Sequence, residues 1–294
     1  MPGEVRRNLN MANMAKKRRK NLVQEILARL GGRWLANGGS GRVAVLAYHS
    51  VHPTTPFATL PAVFDQQLDW LRENCDVIRF EDAWQAAREP LNRPRVAITF
   101  DDGYADNYEY AYPALTQRSM PAAFFVTAGL LERDPAVTDW FARMWGASPA
   151  QVRPLDWRQV REMRSAGMTI GAHTYSHPNL ARLGWREALR ELLSGRDILE
   201  QRLGTPVRTM SYPFGVWKKS LTRQTIDLAA EAGFEYAGTV WFQGVRGHDC
   251  KLAIPRFDVW NDTTEVLWQK VRGWWDYLGW WQQNRPMWKD PGSA

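Results

Sequence analysis

Cysteine is scarce in this sequence of 294 residues, which contains only Cys75 and Cys250. The two are far apart and form no C-x-x-C pair, which argues against a disulfide framework and against a cysteine-based zinc site. Scarce cysteine favours a reducing compartment, so we expect a cytoplasmic protein. Long hydrophobic runs are also absent. Since no apolar stretch approaches about 18 residues, no membrane-spanning helix is expected.

Excess charge is missing from most of the chain, although the net charge is +7. Residues 1–20 contain seven basic side chains and one acidic side chain, so they account for six of the positive charges and residues 21–294 for the remaining one. A nucleic-acid-binding protein normally carries a basic stripe on its folded domain. We therefore expect no nucleic-acid partner.

A compact secretory signal is missing near the N-terminus. The basic cluster at residues 16–20 precedes apolar residues at helical spacing from Leu22 onward, but Gln24, Glu25 and Arg29 interrupt them. No signal peptide is predicted from this pattern. It is typical of an amphipathic helix that packs on its own domain, which we favour. The alternative is a basic helix that makes peripheral contact with the inner face of an anionic membrane.

The sequence does contain, from Val43 onward, a regular alternation of short apolar runs and helical patterns. Such alternation indicates an α/β fold with a parallel sheet of about seven strands, open or closed into a barrel. Strands are predicted at residues 43–48, 77–80, 95–100, 122–127, 168–174, 207–212 and 236–240. Helices are predicted at residues 64–73, 81–88, 106–118, 157–165, 185–202 and 220–232.

Two adjacent carboxylates follow the third predicted strand, in the run TFDDG at residues 99–103. Active sites of α/β folds lie at the C-terminal ends of parallel strands. Neighbouring side chains of an extended chain diverge, but a turn eased by Gly103 lets Asp101 and Asp102 reach one cavity. The alternative is a helix cap, in which Asp102 or Asp106 accepts backbone N–H bonds at the start of the next helix.

Two histidines four residues apart, His173 and His177, lie at the end of the predicted strand 168–174. Imidazole suits zinc and similar divalent metals, and this spacing lets both rings approach one ion. The pair lacks the glutamate of the metalloprotease motif HExxH. With the two carboxylates it provides three ligands and a spare base, a set typical of a catalytic metal site with open positions.

At this point the residues resemble the polysaccharide deacetylase family, which shares the NodB homology domain. TFDDG at 99–103, HTYSH at 173–177 and YPFG at 212–215 are similar to the family's first three motifs. The resemblance covers roughly residues 43–260. It implies a distorted (β/α) barrel that hydrolyses N-acetyl groups of carbohydrates, so that the expected partner is an N-acetylated carbohydrate and the expected cofactor one divalent metal ion, zinc.

The resemblance also implies a role for each motif residue. It makes Asp101 the general base, and it makes Asp102, His173 and His177 the metal ligands. The third motif, Tyr212, Pro213 and Phe214, would form the substrate and oxyanion site, in which the Phe214 backbone N–H holds the oxyanion.

Two positions depart from the family pattern. Many members carry an arginine two residues before the proline of the third motif, where this chain has Ser211. We expect Arg256 to reach Asp101 from the following strand instead. Many members also supply a late histidine as general acid, which is missing at that place here. We prefer His49, at the end of the first strand, over His248 as its substitute.

These patterns divide the chain into a basic appendage and linker at 1–42, a deacetylase-like catalytic domain at 43–260, and a tryptophan-rich segment at 261–294. Residues 130–154 have mixed character and are interpreted as an inserted lid or loop. The C-terminal tryptophans favour core packing, ahead of membrane contact and sugar binding. The two departures leave a carbohydrate-binding pseudoenzyme as one alternative function, and the two ends leave a membrane-associated scaffold as another.

Overall fold

The computed structural model describes residues 42–277 and 279, apart from residues 56, 57, 91, 147, 150 and 151. The prediction of a basic helix near the N-terminus falls outside the described residues, as do Trp280, Trp281 and Trp288. No helix in the described ranges is both long enough and apolar enough to cross a membrane.

The described chain contains nine strands and nine α-helices. The strands are β1 (Arg42–Tyr48), β2 (Asp76–Ile78), β3 (Arg95–Phe100), β4 (Ala123–Val126), β5 (Thr169–Ala172), β6 (Thr209–Ser211), β7 (Tyr236–Gly238), β8 (Val245–Arg246) and β9 (Phe257–Asp258). The helices are α1 (Pro61–Asn74), α2 (Ala83–Ala86), α3 (Tyr112–Gln117), α4 (Ala128–Leu131), α5 (Pro135–Trp145), α6 (Trp157–Ser165), α7 (Trp185–Leu203), α8 (Arg223–Glu231) and α9 (Thr264–Val271). Strands and helices alternate from β1 to β4 and from β5 to β7.

The strands form one sheet in the order β7-β6-β5-β4-β3-β1-β8, with β2 paired to β3 and β9 paired to β1. All pairs are parallel except β1 with β8. Ile254 bridges to Gly238 in β7, and Phe257 pairs with Leu46 in β1. The chain from 254 to 258 thus joins the two sides of the sheet. The predicted distorted (β/α) barrel is confirmed, with eight parallel strands where about seven were expected.

Successive side chains of the central strands point to opposite faces of the sheet, so the apolar residues form two separate layers. Leu46 and Phe100 belong to the large layer between the sheet and the helices, which also contains Leu68 of α1. Val45 and Phe125 point the other way, into a smaller cluster enclosed by the strands. These strands are continuous apolar runs because both of their faces are buried. The enclosed face ends at the rim with polar residues, which form the site.

Three predicted elements differ in the structure. The helix expected at 106–118 begins as a π-helix over Asn107–Ala111 and continues as α3, and the helix expected at 81–88 is only the single turn α2. The stretch 130–154, interpreted as a lid or loop, contains the eleven-residue helix α5. The helix begins at Asp134, whose carboxylate accepts the Ala136 N–H at 2.8 Å, and ends at Gly146 with φ 66°.

The C-terminal segment packs on the barrel as far as it is described. Leu267 and Trp275 are buried in the main core, whereas Trp268 and Trp274 contact each other and stay partly exposed. The Arg42 guanidinium at the start of β1 binds the Asp276 carboxylate at 2.8 Å. Core packing is therefore confirmed for Trp275, and residues 264–276 stabilise the barrel from its outer side.

Candidate active site

The carboxyl ends of β3, β5 and β6 bring site residues together at one rim of the barrel, and Arg256 reaches them from the start of β9. Asp101 follows β3, His173 follows β5, Ser211 ends β6, and Arg256 directly precedes β9. All four side chains are buried although they are polar. Burial of a polar group costs free energy unless the group has a partner, so these residues must satisfy one another or a ligand.

Asp101 is held by a guanidinium that has no exposed surface. Nη1 and Nη2 of Arg256 donate to Oδ1 and Oδ2 of Asp101 at 2.8 and 2.7 Å. The Ser211 hydroxyl donates to Oδ2 at 3.1 Å and accepts from Nη2 at 2.6 Å. Burial alone would raise the pKa of Asp101, but the Arg256 charge holds that pKa well below its usual range. Asp101 is therefore an oriented carboxylate at neutral pH.

Arg256 has an acceptor for each of its five N–H groups, since it also donates to Thr99 Oγ1 and to the Thr239 carbonyl, both at 3.0 Å. It passes so close to β7 that a Cβ at Gly238 would lie 2.7 Å from its Nε. The structure thus places Arg256 beside Asp101, as the sequence analysis expected from the serine at position 211.

Asp102 turns into the same cavity because its backbone is left-handed, with φ 76°, and the following Gly103 has φ 89°. This turn overcomes the divergence expected for neighbours on a strand. The Asp102 carboxyl accepts a hydrogen bond from Tyr104, whose hydroxyl in turn accepts the Trp145 indole N–H at 2.6 Å. Its Oδ1 lies 3.6 Å from His173 Nε2 and 3.4 Å from His177 Nε2. Asp102 is therefore not a helix cap.

The two histidines present the same ring atom to Asp102. Nδ1 of His173 lies 2.8 Å from the Ser211 carbonyl, an acceptor, so the proton belongs on Nδ1 and the Nε2 lone pair is free. His177 reaches the cavity because Thr174 and His177 both have left-handed φ values, 63° and 60°. The Thr174 hydroxyl accepts the His177 N–H at 3.0 Å and fixes this turn.

The triad of Asp102, His173 and His177 fits a divalent metal ion. Their ligand atoms lie within 4.8 Å of one another, all three residues are buried, and Asp102 Oδ1 has no hydrogen-bond partner among the described residues. Burial raises the pKa of Asp102 and lowers that of His177, because both charged forms are desolvated. A bound cation would satisfy the orphaned oxygen and bind the free Nε2 lone pairs.

The third motif forms a turn at the mouth of the site. Phe214 has φ 63°, is 42% exposed, and its ring lies 5.0 Å from the His177 ring. Its backbone N–H has no acceptor among the described residues. Tyr212 is buried, with its N–H donated to Gly238 and its hydroxyl to Leu252. Phe214 N–H is thus free for a ligand, whereas Tyr212 and Pro213 shape the turn that presents it.

His49 lies at the end of β1 on the same rim and stacks on Trp260, with ring centroids 5.4 Å apart. Its Nδ1 has no partner among the described residues, and its charge would lower the pKa values of both Asp101 and Asp102, so it lies near both carboxylates. His248, the other candidate, is 77% exposed in a loop.

The sequence did not reveal the residues that hold His49. The Asn107 amide donates to the His49 carbonyl at 2.8 Å, and Asp106 accepts from the Ser50 hydroxyl and the Val51 N–H at 2.5 and 3.3 Å. Burial raises the pKa of Asp106 to about 7. Asp106 therefore anchors the loop after β1 rather than capping a helix. The spacing of Asp106 and Asn107 after TFDDG carried no signal of this contact.

The site also has an aromatic wall that sequence patterns did not indicate. Trp140 and Phe141 of α5 lie against the His177 ring, at 4.9 and 5.4 Å between centroids, and Trp140 is 6.3 Å from Phe214. The stretch interpreted as a lid or loop thus forms one side of the mouth. Phe141 is fully buried and Trp140 is partly exposed, so the wall excludes water on one side of the mouth and presents one indole ring to a ligand.

Known proteins are similar to this chain in sequence and in fold. The sequence model described as "Polysaccharide deacetylase" matches residues 88–237, about half of the chain. The "Putative polysaccharide deacetylase YxkH" of Bacillus subtilis is 24% identical over 70% of this chain and 67% of its own length. A "Peptidoglycan-N-acetylglucosamine deacetylase" of Bacillus cereus is 28% identical over 43% of this chain, and a "Chitooligosaccharide deacetylase" of Sinorhizobium fredii is 25% identical over 52%. The chain spans only 38% and 56% of the lengths of these last two relatives.

Two solved structures have the same fold. The Streptococcus pyogenes deacetylase PplD, solved in complex with acetate, superposes with a TM-score of 0.67 at 24% identity, over 79% of this chain and 99% of that one. IcaB from Ammonifex degensii superposes with a TM-score of 0.64 at 27% identity, over 80% and 98% of the two chains. With its fold, its motifs and this match, the chain belongs to the polysaccharide deacetylase family, a family of hydrolases that deacetylate carbohydrates.

Proposed function

We propose that this chain is a metal-dependent hydrolase that removes N-acetyl groups from a carbohydrate. The observation that carries the proposal is the coexistence of two separate units in one cavity. One is the triad of Asp102, His173 and His177, and the other is the Asp101 carboxylate with its own counter-ion, Arg256. A structural ion pair would not need the triad, and a structural metal would not need the spare carboxylate.

The triad would hold one divalent cation through Nε2 of the two histidines and Oδ1 of Asp102. Zinc is the proposed ion because nitrogen and carboxylate ligands with open positions suit it. When bound, the ion supplies a Lewis acid for an acetyl carbonyl and lowers the pKa of water. The substrate proposed is an N-acetylated amino sugar, since the names of two relatives specify peptidoglycan N-acetylglucosamine and chitooligosaccharides.

Different groups of the site would act as base, oxyanion donor and acid in amide hydrolysis. A carboxylate oxygen of Asp101 accepts a proton from the attacking water, while Arg256 and Ser211 keep that carboxylate ionised and oriented. The free Phe214 N–H donates to the developing oxyanion. The imidazole of His49 gives a proton to the departing amine, for which its unpartnered Nδ1 and its place on the rim are the support.

The test of metal dependence is acetate release from N-acetylglucosamine oligomers, from peptidoglycan fragments and from acetylated sugar precursors, each with and without a chelator. We expect release from at least one substrate class, loss with chelator, and recovery with zinc. The double variant His173→Ala/His177→Ala should contain far less metal than the wild type. Equal metal content in the two proteins would overturn the assignment of the triad.

The same assay decides between catalysis and binding alone. A carbohydrate-binding pseudoenzyme would bind the oligomers and release no acetate from any of them, with or without added metal. The presence of the Asp101 carboxylate beside the complete triad of Asp102, His173 and His177 favours turnover, because a pseudoenzyme would be expected to lose the base first.

A cytoplasmic location and peripheral membrane contact remain proposals that rest on the sequence. Scarce cysteine supports the first, and the basic segment and tryptophan-rich end support the second. Co-sedimentation with anionic liposomes, measured for the chain with and without residues 1–40, tests the membrane contact. Equal sedimentation of the two proteins would contradict a role for the basic segment.

A further inference from the structure

A positively charged sector of the rim takes no part in the chemistry proposed above. The segments that follow β5 and β6, residues 173–186 and 212–223, contain no aspartate or glutamate and five basic residues. Four of the five are exposed and have no ion-pair partner among the described residues. These four form what we call the cationic rim: Arg182, Arg186, Lys218 and Lys219.

The sign of this sector is local rather than general. The fifth basic residue, Arg223, pairs with Asp227 at 3.0 Å. The segment that follows the neighbouring strand β4, residues 127–156, is mixed, with four acidic and three basic residues. Residues 21–294 as a whole carry a net charge of only +1. Residues 21–294 are therefore nearly neutral as a whole, but four cations without ion-pair partners in the described part of the chain lie in the two segments beside the active-site mouth.

The two segments lie on one surface, beside the site. The Asn179 amide donates to the Lys219 carbonyl at 3.1 Å, and the Arg182 N–H donates to the Asn179 carbonyl at 3.0 Å. The same two segments carry His177 and Phe214, whose rings are 5.0 Å apart at the mouth. A saccharide held at the mouth would thus lie beside the two segments that carry the cationic rim.

The position of Arg186 is not explained by helix stability. It lies in the first turn of the nineteen-residue helix α7, where the positive end of the helix dipole disfavours a cation. Its guanidinium lies 4.6 Å from the ring centre of Trp185, and that ring is 48% exposed. The acidic neighbour Glu187 forms no ion pair with it within the described residues. Arg186 is therefore an exposed cation that contacts an aromatic ring but has no carboxylate partner among the described residues, which suits a sugar that carries a negative charge.

We propose that the cationic rim binds an anionic group, phosphate or carboxylate, that the acetylated saccharide itself carries, so that this site acts on an anionic glycan in preference to a neutral one. The inference rests on the proposed function, because it specifies the substrate of the same site. Exposed charges act over about 10 Å at 0.1 M salt, so this preference should weaken as salt is added.

The test measures equilibrium binding of three probes to the full chain in an Asp101→Asn background, which slows their consumption. The probes are chitotetraose, the same oligomer with a phosphate at its reducing end, and a tetrasaccharide that contains N-acetylmuramic acid and thus a carboxylate. We expect at least one charged probe to bind about tenfold more tightly than chitotetraose at low ionic strength. The preference should disappear at 0.5 M salt, roughly a 4 Å screening length.

Two variants that lose the same number of positive charges distinguish an effect of the cationic rim from an effect of the protein's net charge. The first changes Arg182, Arg186, Lys218 and Lys219 to Gln and should lose the preference while it binds chitotetraose unchanged. The matched control changes four exposed arginines outside the site segments to Gln and should keep the preference. These control positions are Arg72, Arg161, Arg208 and Arg272.

The outcomes are distinct. The inference is wrong if all three probes bind the Asp101→Asn protein equally. It is also wrong if the rim variant and the control variant lose the preference for charged probes equally. If only vesicles of phosphatidylglycerol bind through the four cations, the rim is a membrane contact and the inference is also wrong. If the wild type releases no acetate from any probe, the proposed function fails, whereas the binding comparison still decides the role of the cationic rim.

Discussion

At the scale of single residues, Ser211 joins the two halves of this site. The small hydroxyl leaves space for the Arg256 side chain, which arrives from the segment before β9 and places both Nη atoms on Asp101. Ser211 keeps two tasks of its own: its hydroxyl bridges Arg256 and Asp101, and its carbonyl fixes the His173 tautomer. The base and one metal ligand are therefore oriented by the same residue.

The proposed base is tested by Asp101→Asn. The amide cannot accept a proton from water, so kcat should fall by about 10²–10⁴-fold while metal content stays near that of the wild type. Asp139→Asn, an exposed exchange on α5, is the control and should leave kcat unchanged. Turnover close to normal in Asp101→Asn would move the base role to another residue.

The Arg256–Asp101 pair is tested by its pH dependence. In the wild type the pKa of Asp101 lies below its unfolded value of about 3.9, so the pair stabilises the fold above that pH and loses its contribution as the pH falls below it. Arg256→Ala removes the charge that lowers this pKa. The acid limb of the pH–rate profile should then move to higher pH.

Arg256→Lys is the matched control for charge, because it keeps one cation but not the two-point contact. We expect its acid limb to lie between those of the wild type and Arg256→Ala. The alanine variant should also unfold more easily, by about 3–5 kcal/mol, since it leaves a buried carboxylate unpaired. An acid limb that does not move, together with an unchanged rate, would argue against the pairing.

At the scale of elements, irregular backbone brings the side chains of the site together. The left-handed residues Asp102, Thr174, His177 and Phe214 all occur where a strand gives way to a loop at the rim. The π-helix that begins at Asn107 turns its first residue toward the loop that carries His49. Helix α5 then closes one side with Trp140. Regular strands position the loops, and their strained turns aim the side chains.

The contact of Asn107 with the His49 loop gives a prediction at this scale. Asn107→Ala removes a buried hydrogen bond of 2.8 Å and leaves the His49 carbonyl unsatisfied, which should lower the free energy of unfolding by about 1–3 kcal/mol. Because His49 is the proposed acid, the basic limb of the pH–rate profile should shift as well.

The matched control is Asn74→Ala, which removes a side-chain hydrogen bond of 2.9 Å to the Trp70 carbonyl on the exposed surface of α1. It should change stability by less than about 0.5 kcal/mol and leave the pH–rate profile in place. If Asn107→Ala loses stability but keeps the basic limb of the wild type, the contact is structural and does not position His49 for catalysis.

At the scale of the whole molecule, the barrel joins residues that are far apart in the chain. Asp101 and Arg256 are separated by 155 positions, and the C-terminal Asp276 binds Arg42 at the start of the first strand. The closing segment 254–258 both completes the sheet and carries the arginine of the base. The segment that completes the barrel therefore also brings Arg256 to Asp101, so the fold and the site depend on the same residues.

Metal removal tests this coupling in the intact protein. An ion that binds the folded state alone stabilises it by RT ln(1 + [M]/Kd), about 2.7 kcal/mol at a hundredfold excess over Kd. We expect a chelator to lower Tm by several degrees and zinc to restore it. Asp102→Ala should show little response to either reagent, whereas the control Asp139→Ala should respond as the wild type does. An identical response of Asp102→Ala and wild type would contradict the triad.

The sequence alone determined the fold class and the main residues of the candidate site, because both depend on local patterns. Alternating apolar runs specify a parallel α/β sheet, and TFDDG and HTYSH specify ligand types at strand ends, where such sheets build sites. Strands as short as β8 and β9, with two residues each, carry no periodicity and were not predicted. The helix α5 was hidden in a stretch of mixed character.

Only the tertiary structure decided which distant residues act on the predicted ones. That Arg256 and not another cation holds Asp101 follows from the pairing of its segment with β7 and β1. That His49 and not His248 faces the carboxylates follows from the register of β1 with β3. Local sequence sets what a residue can do chemically. The sheet sets what it meets, since strands that are neighbours in space are distant in the chain.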